Sequence, residues 1–431
     1  MSRIAVLTPI PPQRTGIAAY SKVVLEHLAK RADVDVYASV RGERIPGVRI
    51  LRASRRNLRR LDRYDGVIAQ MGNSRAHDWI LDCVQTRPTV VVLHELVLHH
   101  LVADMTVGRG HPQMYVDAVQ SENGRAAGLL ALAAVNSLIP PLWETAPERF
   151  PLSELAIRNA TAVVVHSRFL AGELRRRWPD LPVSVAPFPA VASPQAPHPP
   201  RTDDTVRIGV FGFITKHKRL PVILEAFRMA RQLDDRLRLV VVGEAPDGID
   251  VARMAVQLGL GTDVAEIHGY APGPRFDELV ASVDLGVNLR VPTLGETSAI
   301  VAALLAQGKP VVVSPGGWYD ELPDEAVLRV GPGSDEVETL AAVMVHLARD
   351  TEARSRMSIA AREYAAVHMN PSTTADVYLR AALAPVGRPA LQSELIERMG
   401  AMVHEIASAA GVAPDAMIGT LTRAARAVDL L

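Results

Sequence analysis

The stretch 207–244, RIGVFGFITKHKRLPVILEAFRMARQLDDRLRLVVVGE, decides the fold. It opens on Arg207–Phe213, apolar at consecutive rather than alternate positions, as in a strand buried on both faces. A loop with Lys216, Lys218 and Arg219 follows. Pro221–Gln232 then places apolar side chains at helical spacing, and Leu237–Gly243 is a second doubly buried strand. Strand, helix and strand in this order make a parallel pair with a helical crossover.

The alternation continues on both sides. Downstream come a helix near Val251–Leu258, a strand over Glu266–Tyr270, helix Phe276–Val283, strand Leu285–Leu289, helix Ser298–Gln307 and strand Pro310–Ser314. Upstream the strands are Arg3–Pro9, Val34–Ser39, Gly66–Met71, Thr89–His94, Ala162–Ser167 and Val183–Pro187, with helix Gly16–Lys30 after the first. Six prolines between Pro187 and Pro200 separate the two series, since no helix or strand interior holds so many. The expected architecture is α/β: two Rossmann-like, doubly wound parallel-sheet domains facing a cleft, with a C-terminal helical extension. The boundaries are 1–190, a linker at 191–205, a second domain at 206–370, a helix at 371–385 returning to the first domain, and a tail at 386–431. Within the tail, Leu395, Met399, Met402, Val403 and Ile406 form an apolar stripe that suits a covering helical hairpin or a homodimer contact.

Composition sets the class. The 431 residues are 48% hydrophobic and 22% charged, which excludes a disordered or collagen-like chain. Cys83 is the one cysteine, so no internal disulfide forms, and MSRIAVLTPI is not a secretory signal. A cytoplasmic protein is expected. Formal charge is zero overall, yet residues 1–200 carry 24 basic and 17 acidic side chains, leaving the second half acidic. Aromatics make up only 4% and do not interleave with the basic residues, which argues against nucleic acid.

Three strand-to-helix junctions carry the candidate chemistry. Gly16 opens the first helix after TPIPPQRT, and a helix N-terminus approached through glycine suits an anion. In the second domain Gly212 ends a strand ahead of Lys216, Lys218 and Arg219, at the edge where open α/β sheets bind ligands, so a phosphate is expected there. The third junction, DLGVNLRVPTLGETSAIVAALLAQGKPVVVSPGG, offers Arg290 and the helix-opening Thr297 and Ser298 to diphosphate oxygens. Glu296 would accept from sugar hydroxyls.

The two-domain layout, the Gly16 loop, the lysine-containing loop before ILEAF and the GETS…GKPVVVS stretch resemble family 4 of the retaining glycosyltransferases, which have the GT-B fold. The resemblance spans roughly residues 1–383. It implies that the front domain binds acceptor, that the back domain binds a nucleotide-sugar donor, and that sugar transfer is metal-independent with no further cofactor. His94, in VVVLHELVLHH, resembles the family's histidine that reaches the donor sugar, so His94 and Glu296 are the catalytic candidates. Donor binding falls to Gly16, Gly212, Lys218, Arg290, Glu296, Thr297 and Ser298, and acceptor contacts to Gln70, Asn73 and His77. The chain departs from the family in two places: Phe213 stands where an arginine is usual, and Ala303 where a second glutamate belongs. His94 begins no zinc motif, because HExxH needs a histidine at Leu98. The pair DVD at 33–35 begins a strand and reads as structural. Two other readings stay open: a non-hydrolysing nucleotide-sugar epimerase and a non-catalytic nucleotide-sugar scaffold.

Finally, LRASRRNLRRLDRYD puts Arg52, Arg55, Arg56, Arg59, Arg60 and Arg63 on one face of a helix over 51–64. Such a basic helix would hold the protein against an anionic membrane and suit a lipid-linked or anionic acceptor.

Overall fold

The computed structural model describes residues 1–190, 203–246, 248–271 and 273–384. The front sheet holds β1 (Arg3–Leu7), β2 (Asp33–Ala38), β3 (Val48–Arg52), β4 (Gly66–Met71), β5 (Thr89–Leu93), β6 (Ala160–Val165) and β7 (Val183–Val185). The back sheet holds β8 (Val206–Phe211), β9 (Leu237–Val242), β10 (Ala265–His268), β11 (Leu285–Asn288), β12 (Val311–Val313) and β13 (Val327–Arg329). Strand orders are β3-β2-β1-β4-β5-β6-β7 and β10-β9-β8-β11-β12-β13, and every paired strand runs parallel. Both sheets reverse their winding beside the first strand, at β1/β4 and at β8/β11. Ligands of doubly wound sheets bind beyond the carboxyl ends at this point. The fold is GT-B, with the two switch points facing each other across a cleft.

The central strands have the consecutive burial read from their sequence: Ile4 to Leu7, Thr89 to Leu93 and Val311 to Val313 are all buried. Helices cover each face, and apolar clusters form on both sides of both sheets. Helix Pro371–Leu383 leaves the back domain and lies on the front one. Arg31 Nε donates to Asp376 Oδ1 at 2.5 Å and Thr374 Oγ1 donates to the Pro187 carbonyl at 2.8 Å. A Cβ added at Gly66 would come within 2.4 Å of the Ala382 carbonyl oxygen, so glycine permits this close docking.

The basic helix expected over 51–64 does not form. Leu51 and Arg52 end β3, paired with Tyr37 and Ala38 of β2. A short helix, Arg55–Leu58, and a 3-10 turn, Leu61–Arg63, follow. Two local forces win over the helical spacing. The buried Asp35 carboxylate holds Arg49 in β3 through a 2.7 Å bond from Nε, and the Ser54 hydroxyl caps Asn57 N, restarting the chain after the strand. The arginines therefore do not share one helix face. Strands β3 and β13 are additions to those the sequence predicts. The tail at 386–431 and most of the 191–205 linker lie outside the described residues, so the expected hairpin and dimer contact do as well. No helix among the described residues is long and apolar enough to cross a membrane.

Candidate functional site

The back-domain side of the cleft is built from three loops at the carboxyl ends of β8, β11 and β12. After β8, Gly212 has φ +87°, and a Cβ there would lie 2.8 Å from Lys218 Nζ. Glycine thus allows the lysine to fold back over the strand end. Lys218 is buried, and its Nζ donates to the Phe211 carbonyl at 2.9 Å. Burial, with Arg290 next in effect, drives its ammonium well below the usual lysine range. The other two cations of the loop are occupied elsewhere. Arg219 makes a two-point contact with Glu336, and exposed Lys216 reaches Glu144 of the front domain at 3.0 Å. Only Lys218 faces the site, which narrows the three-cation cluster read from the sequence to one residue.

After β11, Arg290 is held by its neighbours, the buried Tyr319 phenol among them. Its backbone N donates to Ser314 Oγ, its Nη1 donates to His217 Nε2 at 2.7 Å, and Nη1 lies 3.2 Å from Glu296 Oε1. Receiving that bond requires a neutral His217, and burial together with Arg290 pushes the ring down to about 3. Glu296 Oε2 accepts from Leu294 N at 2.7 Å. Arg290 Nε is nevertheless buried without a hydrogen-bond partner, while Glu296 Oε1 is met by the Arg290 ion pair. Native interiors rarely leave such groups unsatisfied, and a polar ligand is one way to satisfy them. Helix Ala299–Ala306 begins beside them, capped by Ser298, whose Oγ accepts from Val301 N. Thr297 is half-buried just before that cap.

The front domain meets these loops through the segment after β5. Leu96 N and Val97 N both donate to the Leu294 carbonyl, at 3.0 and 3.2 Å. Gly295, at φ +78°, has no room for a Cβ, which would stand 2.7 Å from Leu96 Cβ. This contact brings His94 and Glu95 to the back-domain loops. Glu95 Oε1 accepts from Asn73 N at 2.9 Å; burial, with the nearby Glu296 carboxylate, pushes the Glu95 carboxyl up to about 7. His94 is 8% exposed, and its Nε2 lies 2.5 Å from Gln70 Oε1. Farther along the interface, Glu321 accepts from Arg168 N and Phe169 N at the start of helix Arg168–Arg177, and Arg14 lies 4.4 Å above the Tyr270 ring.

The structure thus gathers His94, Lys218, Arg290, Glu296, Thr297 and Ser298 near the cleft. Gly16 opens the first helix, exposed, with open space above its Cα. The three acceptor candidates have inward roles instead. Gln70 is 1% exposed, with its amide engaged by His94 and Tyr378. Asn73 Oδ1 accepts from Leu101 N, and its Nδ2 meets His100 Nδ1. His77 is buried against Ser74, and desolvation takes its ring down to about 4. Both ends of the buried Gln70 amide are engaged inside the domain, whereas half-buried Asn73 keeps a second Nδ2 proton beyond its contact with His100. Sequence reasoning passed over His217 and Glu95, although each adjoins a residue it singled out.

Residues 205–350 match the family described as glycosyl transferases group 1. No curated protein matches the chain in sequence. Among solved structures, the chain is similar to HepE of Anabaena in complex with UDP and glucose, at 15% identity and TM-score 0.60, over 88% of this chain and 99% of that one. It is similar to WaaG, a glycosyltransferase involved in lipopolysaccharide biosynthesis, at 14% identity and TM-score 0.59, over 87% and 99%. Sucrose-phosphate synthase from Thermosynechococcus elongatus aligns at 17% identity and TM-score 0.58, over 89% and 100%. Identities this low speak for the fold, and the sequence match is confined to the back domain: the chain is a GT-B protein whose segment 205–350 matches the model of the group 1 glycosyl transferases.

Proposed function

We propose that the protein moves a sugar from a nucleotide-sugar donor to an acceptor hydroxyl with retention of anomeric configuration, using no metal and no cofactor beyond the donor. One observation carries this reading: the unsatisfied Arg290 Nε, its ion-pair partner Glu296 and buried Lys218 lie at the back-domain switch point, and the His94-Glu95 segment closes over them. As the donor's glycosidic bond breaks, negative charge grows on the diphosphate and positive charge on the anomeric carbon. Groups aimed at the leaving anion lower that barrier. Lys218, Arg290 and the amides at the start of Ala299–Ala306 take this role, Glu296 holds sugar hydroxyls, and His94 orients the sugar. The leaving phosphate takes the acceptor proton, so no side-chain base is required. The basic front domain suits an anionic or lipid-linked acceptor.

Calorimetric titration with UDP, GDP, dTDP and ADP and their sugars tests the donor site, beginning with UDP because HepE is seen with it. Absence of binding to every nucleotide would end the reading. Proton NMR of product then gives the anomeric configuration. Inversion of a ring carbon without acceptor would mark an epimerase, and binding without any turnover a scaffold.

A further inference from the structure

A chain of hydrogen bonds runs from the return helix to His94, and its polarity is fixed at one end. His166 Nδ1 lies 3.1 Å from the Ala186 carbonyl. A carbonyl oxygen only accepts, so Nδ1 carries the proton. Desolvation takes the His166 ring down to about 4, which leaves it neutral near pH 7, and its Nε2 must accept. Two phenols surround that nitrogen: Tyr20 Oη at 3.0 Å and Tyr378 Oη at 3.5 Å, themselves 2.5 Å apart. If Tyr20 donates to His166, Tyr378 must donate to Tyr20. If Tyr378 donates to His166, Tyr20 donates to Tyr378. In both arrangements the single Tyr378 proton is used within this trio.

Tyr378 can then meet Gln70 only as an acceptor, so the contact at 3.4 Å is a bond from the Gln70 amide NH2. That sets the amide's orientation, with Oε1 turned to His94 at 2.5 Å. His94 must therefore donate through Nε2. Tyr20, Gln70, His166 and Tyr378 are each under 5% exposed, and Phe188 lies against the Tyr20 and His166 rings, so water does not relax the polarity. The His94 Nδ1 has no partner among the described residues and is not one of the sealed unsatisfied atoms.

We infer that Tyr378, on the C-terminal return helix, is a positioning residue that orients Gln70 and thereby holds His94 as the Nε2–H tautomer, with the Nδ1 lone pair left to accept a hydroxyl of the donor sugar. The tautomer assignment stands on the hydrogen-bond geometry and a neutral, buried His166; the sugar contact rests on the transferase reading. Histidine-selective 15N NMR of the full-length protein without nucleotide, assigned with His94→Asn and His166→Asn, reads both rings. His94 is expected as a single Nε2–H form and His166 as Nδ1–H; the opposite tautomer at either ring would overturn the inference. Two phenol deletions then separate polarity from packing. Tyr378→Phe frees Gln70 to turn over, so His94 should become a mixture of tautomers, with kcat down about 3- to 10-fold at unchanged UDP affinity. Tyr20→Phe removes the same atom type, yet the Tyr378 proton still goes to His166 and His94 should stay Nε2–H. Equal His94 spectra in the two variants would refute the chain. If no nucleotide binds at all, the transferase reading fails while the tautomers are still measured.

Discussion

Replacing Lys218 by methionine should separate folding from binding. The side chain is 5% exposed, and burial is the chief reason its ammonium falls well below the usual lysine range. The unfolded chain keeps its proton up to the ordinary lysine value near 10.5. Between the depressed folded value and that one, the unfolded state binds more protons, so stability rises with pH across this window. A methionine of similar length removes both the dependence and the desolvation cost. Its unfolding free energy should equal or exceed that of the parent near neutral pH and show less gain toward pH 10, as measured by urea denaturation.

Binding should move the other way. A diphosphate beside Lys218 favours its charged form, so above the depressed value each UDP bound should draw about one proton from the buffer. Below that value the amine is already charged and uptake should vanish. Calorimetry in buffers of different ionisation enthalpy reads this directly, and UDP affinity should weaken as pH rises. Removing one charge-assisted hydrogen bond costs about 1.5–3 kcal/mol, or about 10- to 150-fold in Kd. Lys218→Met should show that loss together with zero proton uptake, and uridine binding should hardly change. Unchanged UDP affinity in Lys218→Met, or a parent protein that takes up no proton at any pH from 6 to 9, would refute the assignment of Lys218 to the diphosphate.

Arg290→Ala should weaken UDP by about 1.5–3 kcal/mol and spare uridine, if Arg290 supplies the cation that Phe213 does not; calorimetry with both ligands decides. Glu95 holds its proton to about 7 in the fold against 4.5 as its ordinary value, so the folded state binds more protons in that window and stability falls as pH rises through it. Glu95→Gln should flatten this fall by about 1–3 kcal/mol in urea denaturation between pH 4.5 and 8. Gly66→Ala sets a methyl against the Ala382 carbonyl and should cost about 1–3 kcal/mol, seen as a lower melting temperature and faster proteolysis within 371–384.

The central strands were legible because parallel strands covered on both faces read as short, nearly continuous apolar runs rich in valine, which their β-branching and the flanking turns set apart from the equally apolar helix Ala299–Ala306. Edge strand β3 was not, because VRILR sets its arginines three apart, as a helix would, and its pairing depends on Asp35, which lies in β2. The arginine spacing over 51–64 fits a helical face just as well as a strand followed by a turn. Spacing alone does not contain the buried carboxylate that decides. At the site, Lys218, Arg290, Glu296 and Ser298 were legible since each sits at a strand end or helix start that the sequence marks. Which cations remain for a ligand was not. Lys216 is taken by Glu144, 72 positions away, and Arg219 by Glu336, 117 away. The polarity of His94 depends on Tyr378, 308 positions from Gln70. Partners at such separations are set by the packing of two domains and a returning helix, which no local pattern encodes.

The contacts across the cleft differ in kind between its floor and its rim, and the difference bears on how a donor enters. At the floor, the Leu294 carbonyl accepts two backbone bonds, Gly295 packs on Leu96, and Glu321 satisfies two amides of the helix beginning at Arg168. Breaking these exposes helix-terminal and loop amides together. At the rim stands the Lys216–Glu144 pair, whose side chains are 81% and 45% exposed. An ion pair this open to water contributes at most about 1 kcal/mol, and salt screens it further. Opening is therefore cheapest from the Lys216 side, and the first site side chains uncovered there are His217, Lys218 and Arg290, which lie on or beside the same loop. On the proposed reading, a nucleotide diphosphate entering by this route would meet the Arg290 guanidinium and the protonatable Lys218 first. On the same reading the sugar end would then reach His94 and Glu296 at the floor, where the two domains already hold each other.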